Sequence, residues 1–212
     1  IVGLFAAGEK PTGSRDPYAL RRAAQGVVKI LADLPALGIR VENRVDLFSL
    51  VHEAYQPHAS HQGAASDAWR SLSIGTFFWE RAAHLFEARG FQPDEIRAVG
   101  AVQSVWSDIS DALKRVEALS SERSSVDFQA LAVLFKRVKN ITKGVEDKGV
   151  DLSEIRTKLV ETAELTLLQE IEDRWPRIFG AQGNGRHVEA IRELAKLRGA
   201  VDRFFADVLV MA

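Results

Sequence analysis

Apolar residues along this chain recur mostly at three- and four-residue spacings and strand-like alternation is scarce, so the pattern predicts helices throughout. The first predicted helix covers 16–34, with Asp16 as N-cap and Pro17 at the first helical position. Leu20, Ala24, Val27, Val28, Leu31 and Leu34 share one face, while Arg21, Arg22, Gln25 and Lys29 take another. Helices are also expected over 45–55 and 67–89, the latter stopped at Gly90, where a left-handed cap is usual. Shorter ones over 94–105 and 108–119 precede a polar linker at 120–125. A well-patterned helix over 126–143 carries the stripe Phe128, Leu131, Phe135, Val138 and Ile141, which reads as buried. A long helix over 153–179 turns Ile155, Leu159, Ala163, Leu167 and Ile171 inward and must kink or end at Pro176. After a loop at 180–185, a last helix from Arg186 buries Ile191, Leu194, Leu197, Val201, Phe204, Phe205 and Val208. The expected fold class is all-α, a helical bundle with room for two sub-bundles.

Composition narrows the chemistry. The 212 residues can bury a core without covalent staples, and the absence of cysteine excludes disulfides, thiolate metal sites and a cysteine nucleophile. No apolar stretch approaches the roughly 20 residues that span a bilayer, so no membrane association is expected. The chain opens on Ile1, its only methionine is Met211, and both ends read as cuts through a longer protein. With 28 Lys+Arg against 29 Asp+Glu, a polyanion site must be a local patch.

Several motifs fail on inspection. The run from Gly3 to Thr12 resembles a phosphate-cradling loop, but Glu9 stands where lysine is required, Pro11 follows Lys10, and no strand precedes it. It reads as a plain turn. His52, His58 and His61 lie close in sequence, yet none has the second histidine four residues on that a helical zinc site needs, and with His84 and His187 they read as structural or surface groups. Glu161, Glu164, Glu170, Glu172 and Asp173 read as a solvated acidic face. No nucleophile elbow appears, and no catalytic or metal-ligating residue is expected.

Positive charge segregates in two places. Over 10–44, Lys10, Arg15, Arg21, Arg22, Lys29, Arg40 and Arg44 face Glu9, Asp16, Asp33 and Glu42, a balance of +3. Over 136–148, Lys136, Arg137, Lys139, Lys143 and Lys148 face Glu146 and Asp147, again +3. Lys136, Lys139, Asn140 and Lys143 follow i, i+3, i+4, i+7 spacing, which sets three ammonium groups and a carboxamide on one helix stripe opposite the Phe128/Leu131/Phe135 core. Such a stripe suits a phosphate backbone, with Asn140 able to reach a base edge, although a basic helix face by itself is most often solvated surface. Arg15, Arg21 and Arg22 are the secondary set, and Arg21 or Arg22 could instead brace the fold by pairing with Asp33 or another carboxylate.

One segment is far more specific. Phe5, Gly8, Pro11-Thr12-Gly13-Ser14, Asp16-Pro17-Tyr18, Leu20-Arg21-Arg22 and Ala24 closely resemble an F-x-x-G-x-x-P-T-G-S-x-D-P-F-x-L-R-R-x-A pattern of the bacterial glycyl-tRNA synthetase beta subunit family, where it follows an HD-like domain. Gly90/Asp94/Ile96/Ala98/Val99, Phe135-Lys136-Arg137-Val138-Lys139-Asn140-Ile141, and Leu194 through Met211 match in the expected order, so the resemblance spans nearly the whole chain.

The resemblance implies a C-terminal fragment with a helical segment following the HD-like domain at 1–64. It also implies an anticodon-binding domain at 65–212, similar to that of arginyl-tRNA synthetase and cut short at its C-terminus. The HD-like domain's own His-Asp residues would precede Ile1. The expected partners are glycine tRNA and the alpha subunit of a hetero-oligomer, with no DNA. Glycine activation with ATP and Mg belongs to that alpha subunit, so this stretch holds no catalytic site and no cofactor of its own. The expected location is the cytoplasm. The RNA-binding residues implied are Lys136, Arg137, Lys139, Asn140 and Lys143, then Arg15, Arg21 and Arg22. The rival reading is a helical bundle for inter-subunit contact that touches no RNA.

Overall fold

A computed structural model describes residues 1–38, 45–61, 67–103, 105–144 and 152–208. Every regular element among them is helical: α1 Val2–Ala6, α2 Leu20–Asp33, α3 Leu47–Tyr55, α4 Asp67–Ala88, α5 Pro93–Gly100, α6 Ile109–Glu122, α7 Val126–Ile141, α8 Leu152–Arg156, α9 Thr162–Gly183, α10 His187–Ala195 and α11 Arg198–Asp207, with 3-10 turns at Gln56–His61 and Val105–Ser107. Thr12 and Arg15 form an isolated antiparallel bridge. The all-α reading holds. The chain divides into two compact units, Ile1–Ser120 and Ser121–Ala212. That division differs from the 64/65 boundary read in the sequence, because α4 shares a single core with α2 and belongs with the residues before it.

In the first unit, α2 packs on α4. Leu20, Ala24, Val28 and Leu31 of α2 share that core with Ile74, Phe77, Phe78, Ala82 and Phe86 of α4, and Ile96, Val99, Ile109, Leu113 and Val116 complete it. The start of α2 departs from expectation. Ala19 adopts a left-handed conformation (φ 52°), so Pro17 and Tyr18 lie outside the helix. Asp16 still caps, from further back: its carboxylate accepts the N–H groups of Leu20 (2.8 Å) and Arg21 (3.0 Å). Two charge-assisted bonds offset the roughly 1–2 kcal/mol that a left-handed non-glycine residue costs. At the other end, Asp33 accepts from Lys29 (2.5 Å) and from Arg89 (2.5 Å), joining α2 to the residue that follows α4. The pairing of Asp33 with Arg21 or Arg22 is therefore not formed. Lys29 first, then Arg89, holds the Asp33 carboxyl below the usual aspartate range.

Two glycines set close approaches in the same unit. A Cβ on Gly75 of α4 would overlap the Trp106 indole, and one on Gly100 would stand 2.7 Å from the indole of Trp79.

The second unit packs α9 against α10 and α11, with α7 against α10 and α11. Leu131, Leu134 and Val201 form one buried cluster with Leu167, Leu194, Leu197 and Phe205 around it, and Ile178, Ala181 and Ala190 form another. The single helix expected over 153–179 is two. Glu164 accepts the N–H groups of Val160 and Glu161, each at 3.0 Å, in a capping box that starts α9 afresh. Pro176 does not end α9, which runs on to Gly183 and so absorbs most of the loop expected at 180–185. The last predicted helix is likewise broken, into α10 and α11 at Lys196–Leu197.

Gly75→Ala gains up to about 1 kcal/mol of helix propensity but loses about 1–3 kcal/mol to overpacking against Trp106, so the expected net effect is destabilising. Gly26, exposed in α2 with open space around it, shows the propensity gain alone. Urea unfolding should therefore move the two alanine variants in opposite directions, and a stabilised Gly75→Ala would contradict the packing. Because the Asp33 carboxyl is depressed, its contribution is fully present above the unfolded value of about 4 and is lost as pH falls through the folded one. The difference in melting temperature between the parent and Asp33→Asn should be flat above about pH 5 and close in acid, whereas a gap that persists at pH 2 would mean that the charge is not what Asp33 supplies.

Candidate nucleic-acid interface

The basic segment of the second unit is built on α7. Ser125 caps its N-terminus by accepting from Phe128 N–H at 3.1 Å, and Asp127 adds negative charge to its first turn. At the far end the Thr142 N–H and hydroxyl both donate to the Val138 carbonyl (2.9 and 3.0 Å), closing the helix. Lys136 and Lys139 lie within α7, whereas Lys143 sits in the turn beyond its cap, just before Gly144 in a left-handed conformation. Lysines at a helix C-terminus also answer the negative end of the macrodipole, a purely structural gain of about 0.3–1 kcal/mol each.

Burial corrects the sequence reading of this helix. The inward residues are Leu131 and Leu134, while Phe135 is 54% exposed and Val138 37%. Phe128 and Ile141 are half-buried. The buried face is therefore turned away from Phe135, which stands at the flank of the helix, one turn before Lys139. Lys136, Lys139, Asn140 and Lys143 are all exposed, and among the described residues their side chains form neither ion pairs nor hydrogen bonds. Arg137 behaves differently. Its guanidinium lies over the Phe205 ring at 3.9 Å from the centroid, tying α7 to α11.

Elsewhere in this unit, charge is spent internally. Glu122 is 7% exposed and receives both Nε and Nη2 of Arg192, at 3.1 and 2.7 Å. Arg174 donates to Glu170 at 2.8 Å and reaches Glu193 at 3.4 Å. Lys196 pairs with the same Glu193, and Arg156 pairs with Glu172. The expected acidic face of α9 is thus largely capping groups and ion-pair partners, with Asp173 accepting from Gln169 at 3.0 Å. The lysines of α7 stand outside these pairings.

The first unit holds the secondary set. Thr12 and Arg15 exchange backbone bonds at 3.0 and 2.8 Å across Gly13, whose φ is 49°. Arg21 braces this turn, donating to the Gly13 carbonyl at 2.8 Å and the Arg15 carbonyl at 3.4 Å. Arg21 is therefore committed to the fold, as one of the two sequence readings allowed, but through carbonyls and not through Asp33. Arg15 and Arg22 remain exposed, with no side-chain partner among the described residues. Lys29 is engaged by Asp33, and Lys10 lies 5.9 Å from the Phe5 ring. Arg40, Arg44 and Lys148 lie outside the described residues, as do Glu42, Glu146 and Asp147. The described residues contain no group of His, Asp and Glu able to hold a metal and no helix long and apolar enough to cross a membrane.

Sequence reasoning missed the exposure of Phe135, the Arg137–Phe205 stack and the Glu122–Arg192 pair. For the first, a signal existed: Leu131, Leu134, Val138 and Ile141 form an alternative apolar line at i, i+3, i+7 and i+10 that leaves Phe135 aside.

Residues 1–101 match the family model for the glycyl-tRNA synthetase beta subunit. Over its full length the chain is 35% identical to the glycine–tRNA ligase beta subunit of Magnetococcus marinus and 36% identical to that of Acidobacterium capsulatum, spanning 29% of each relative. It is 34% identical to that of Thiobacillus denitrificans, spanning 28%. The chain thus covers less than a third of the curated relatives that it matches from end to end. The P-T-G-S-x-D-P turn braced by Arg21 and the Phe-Lys-Arg-Val-Lys-Asn-Ile helix both lie within that matched length, and the chain belongs to the glycyl-tRNA synthetase beta subunit family.

Proposed function

We propose that this chain is a tRNA-binding part of a glycine–tRNA ligase beta subunit, and that α7 supplies its contact with the anticodon arm of glycine tRNA. It positions the tRNA while the alpha subunit, its partner in the hetero-oligomer, activates glycine with ATP and Mg and transfers it. The observation that carries this reading is the free charge of α7: Lys136, Lys139 and Lys143, with Asn140 beside them, are exposed and unpaired among the described residues of a unit whose other cations are largely held by carboxylates or a ring. Three ammonium groups on one face suit successive phosphates, and Asn140 can both donate and accept at a base edge. Arg15 and Arg22 are secondary contacts, while Arg21 and Arg137 act by bracing the elements that carry the others.

The test is the affinity of the full-length protein for glycine tRNA at several salt concentrations, with and without Lys136→Ala, Lys139→Ala and Lys143→Ala combined. Each lost phosphate contact should lower the slope of log affinity against log salt by about 0.7–0.9, so the triple variant should lose about 2 in slope. An anticodon substitution in the tRNA should weaken binding to the parent protein. A triple variant that is folded and keeps both affinity and slope would remove α7 from the interface and favour the inter-subunit bundle.

A further inference from the structure

Phe135 is out of place for a helix-bundle core residue and in place for something else. The ring is 54% exposed, and among the described residues it has no aromatic or cationic partner. Its exposed neighbours are cations: Lys139, one turn on and about 40° round the helix, and Lys136, next in sequence, neither with a side-chain partner among the described residues. The other strongly exposed apolar residues of α7, Val126 at 76% and Val133 at 70%, are seven apart and form a separate line. At 100° per residue, Phe135 points about 160° away from Val133, so it does not belong to that line.

A second exposed aromatic site gives the contrast. Trp175 and Phe179 on α9 are 51% and 53% exposed, but their rings lie against each other at 4.7 Å and their helix carries Glu170, Glu172 and Asp173. Their aromatic surface is shared, and Glu172 on their side of the helix is already paired with Arg156. Phe135 offers an open ring face within a cationic field.

Resting on the tRNA-binding reading above, we infer that Phe135 is a base-stacking platform, so that α7 docks unpaired nucleotides of the RNA and not its paired stem. A ring face flanked by ammonium groups matches the two chemistries of a single-stranded nucleotide, an exposed base face and its adjoining phosphates. A paired stem offers only the phosphates, because its base faces are already stacked on one another. Lys139, one turn on and about 40° round the helix from Phe135, then holds the adjoining backbone, with Lys136 about 100° round on the same side.

The test uses the full-length protein with Phe135→Leu, which keeps the apolar bulk, and Phe135→Trp, which keeps the aromatic face. The probes are glycine tRNA, the same tRNA made abasic at single anticodon-loop positions, and an RNA duplex of stem sequence. Phe135→Leu should weaken tRNA binding on the order of tenfold with its salt slope unchanged, Phe135→Trp should retain affinity, and duplex binding should not change. At one abasic position the parent and Phe135→Leu should bind equally, because the stacking partner is gone. If Phe135→Leu leaves tRNA affinity intact while the triple lysine variant lowers it, the stacking role is overturned and the tRNA-binding reading stands. An equal loss on tRNA and duplex would also overturn it. Loss in neither variant would overturn both.

Discussion

Leu131 and Leu134 seat α7 among Val201, Leu194 and Leu197, and that seating fixes the rotation of the helix about its own axis. Each residue of rotation swings every side chain by 100°, so a helix seated instead on Phe128 and Phe135 would carry Lys139 toward α10 and α11. Burying two leucines contributes roughly 3–6 kcal/mol, and Arg137 over the Phe205 ring adds about 0.5–2 kcal/mol on the neighbouring side. Against those terms the exposure of Phe135 is tolerated. The exposure of the cations on the far side of α7 is thus a consequence of packing on the near side.

Net charge conceals this arrangement. With 28 basic and 29 acidic residues the chain has no overall field, yet the second unit sorts its charges by pairing. Most of the pairs are exposed ones worth about 0–1 kcal/mol, which makes them weak as staples but effective at removing cations from the set available to a ligand. Glu122 is the exception in energy. Its carboxylate is 7% exposed, so removing Arg192 would strand a nearly buried charge, and the hydrogen bonds from Arg192 tie the end of α6 to α10 within this unit. Among the described residues of this unit, the exposed cations left without a partner are the set on α7, with Lys158 and Arg203 singly elsewhere.

The helices were legible in the sequence because their apolar periods are long and regular; their ends and rotations were not. Pro176 illustrates the first failure. An interior proline costs about 3 kcal/mol, but ending α9 there would leave Ile178 and Ala181 without their burial against Ala190, and the helix continues. Ala19 illustrates the opposite case, since nothing in an alanine announces a left-handed residue; the Leu20 and Arg21 N–H groups donating to the Asp16 carboxylate hold it there. The rotation of α7 failed for a third reason. Phe135 and Leu134 are equally apolar, adjacent in sequence and each in period with Leu131, and only the shape of the facing α10 and α11 surface selects between them. The basic stripe itself was legible, because charge spacing survives a small error in rotation. The role of Arg21 was half legible: its bracing follows from the turn carbonyls it meets, which no spacing rule reveals.

The position of the lysines within α7 gives them two roles of different physical kind. Lys139 and Lys143 lie at the negative end of the helix, where a cation gains about 0.3–1 kcal/mol whether or not any ligand exists, while Lys136 lies further in, where the gain fades. A helix under selection for its dipole alone would place its cations in the last turn and leave the turn before it indifferent. Here Lys136 and the open ring of Phe135 occupy that earlier turn, on the side that the leucines keep away from the core. The dipole accounts for the end of the stripe but not for its beginning, and it is the beginning, an ammonium group beside an exposed aromatic ring, on which the proposed nucleotide contact rests.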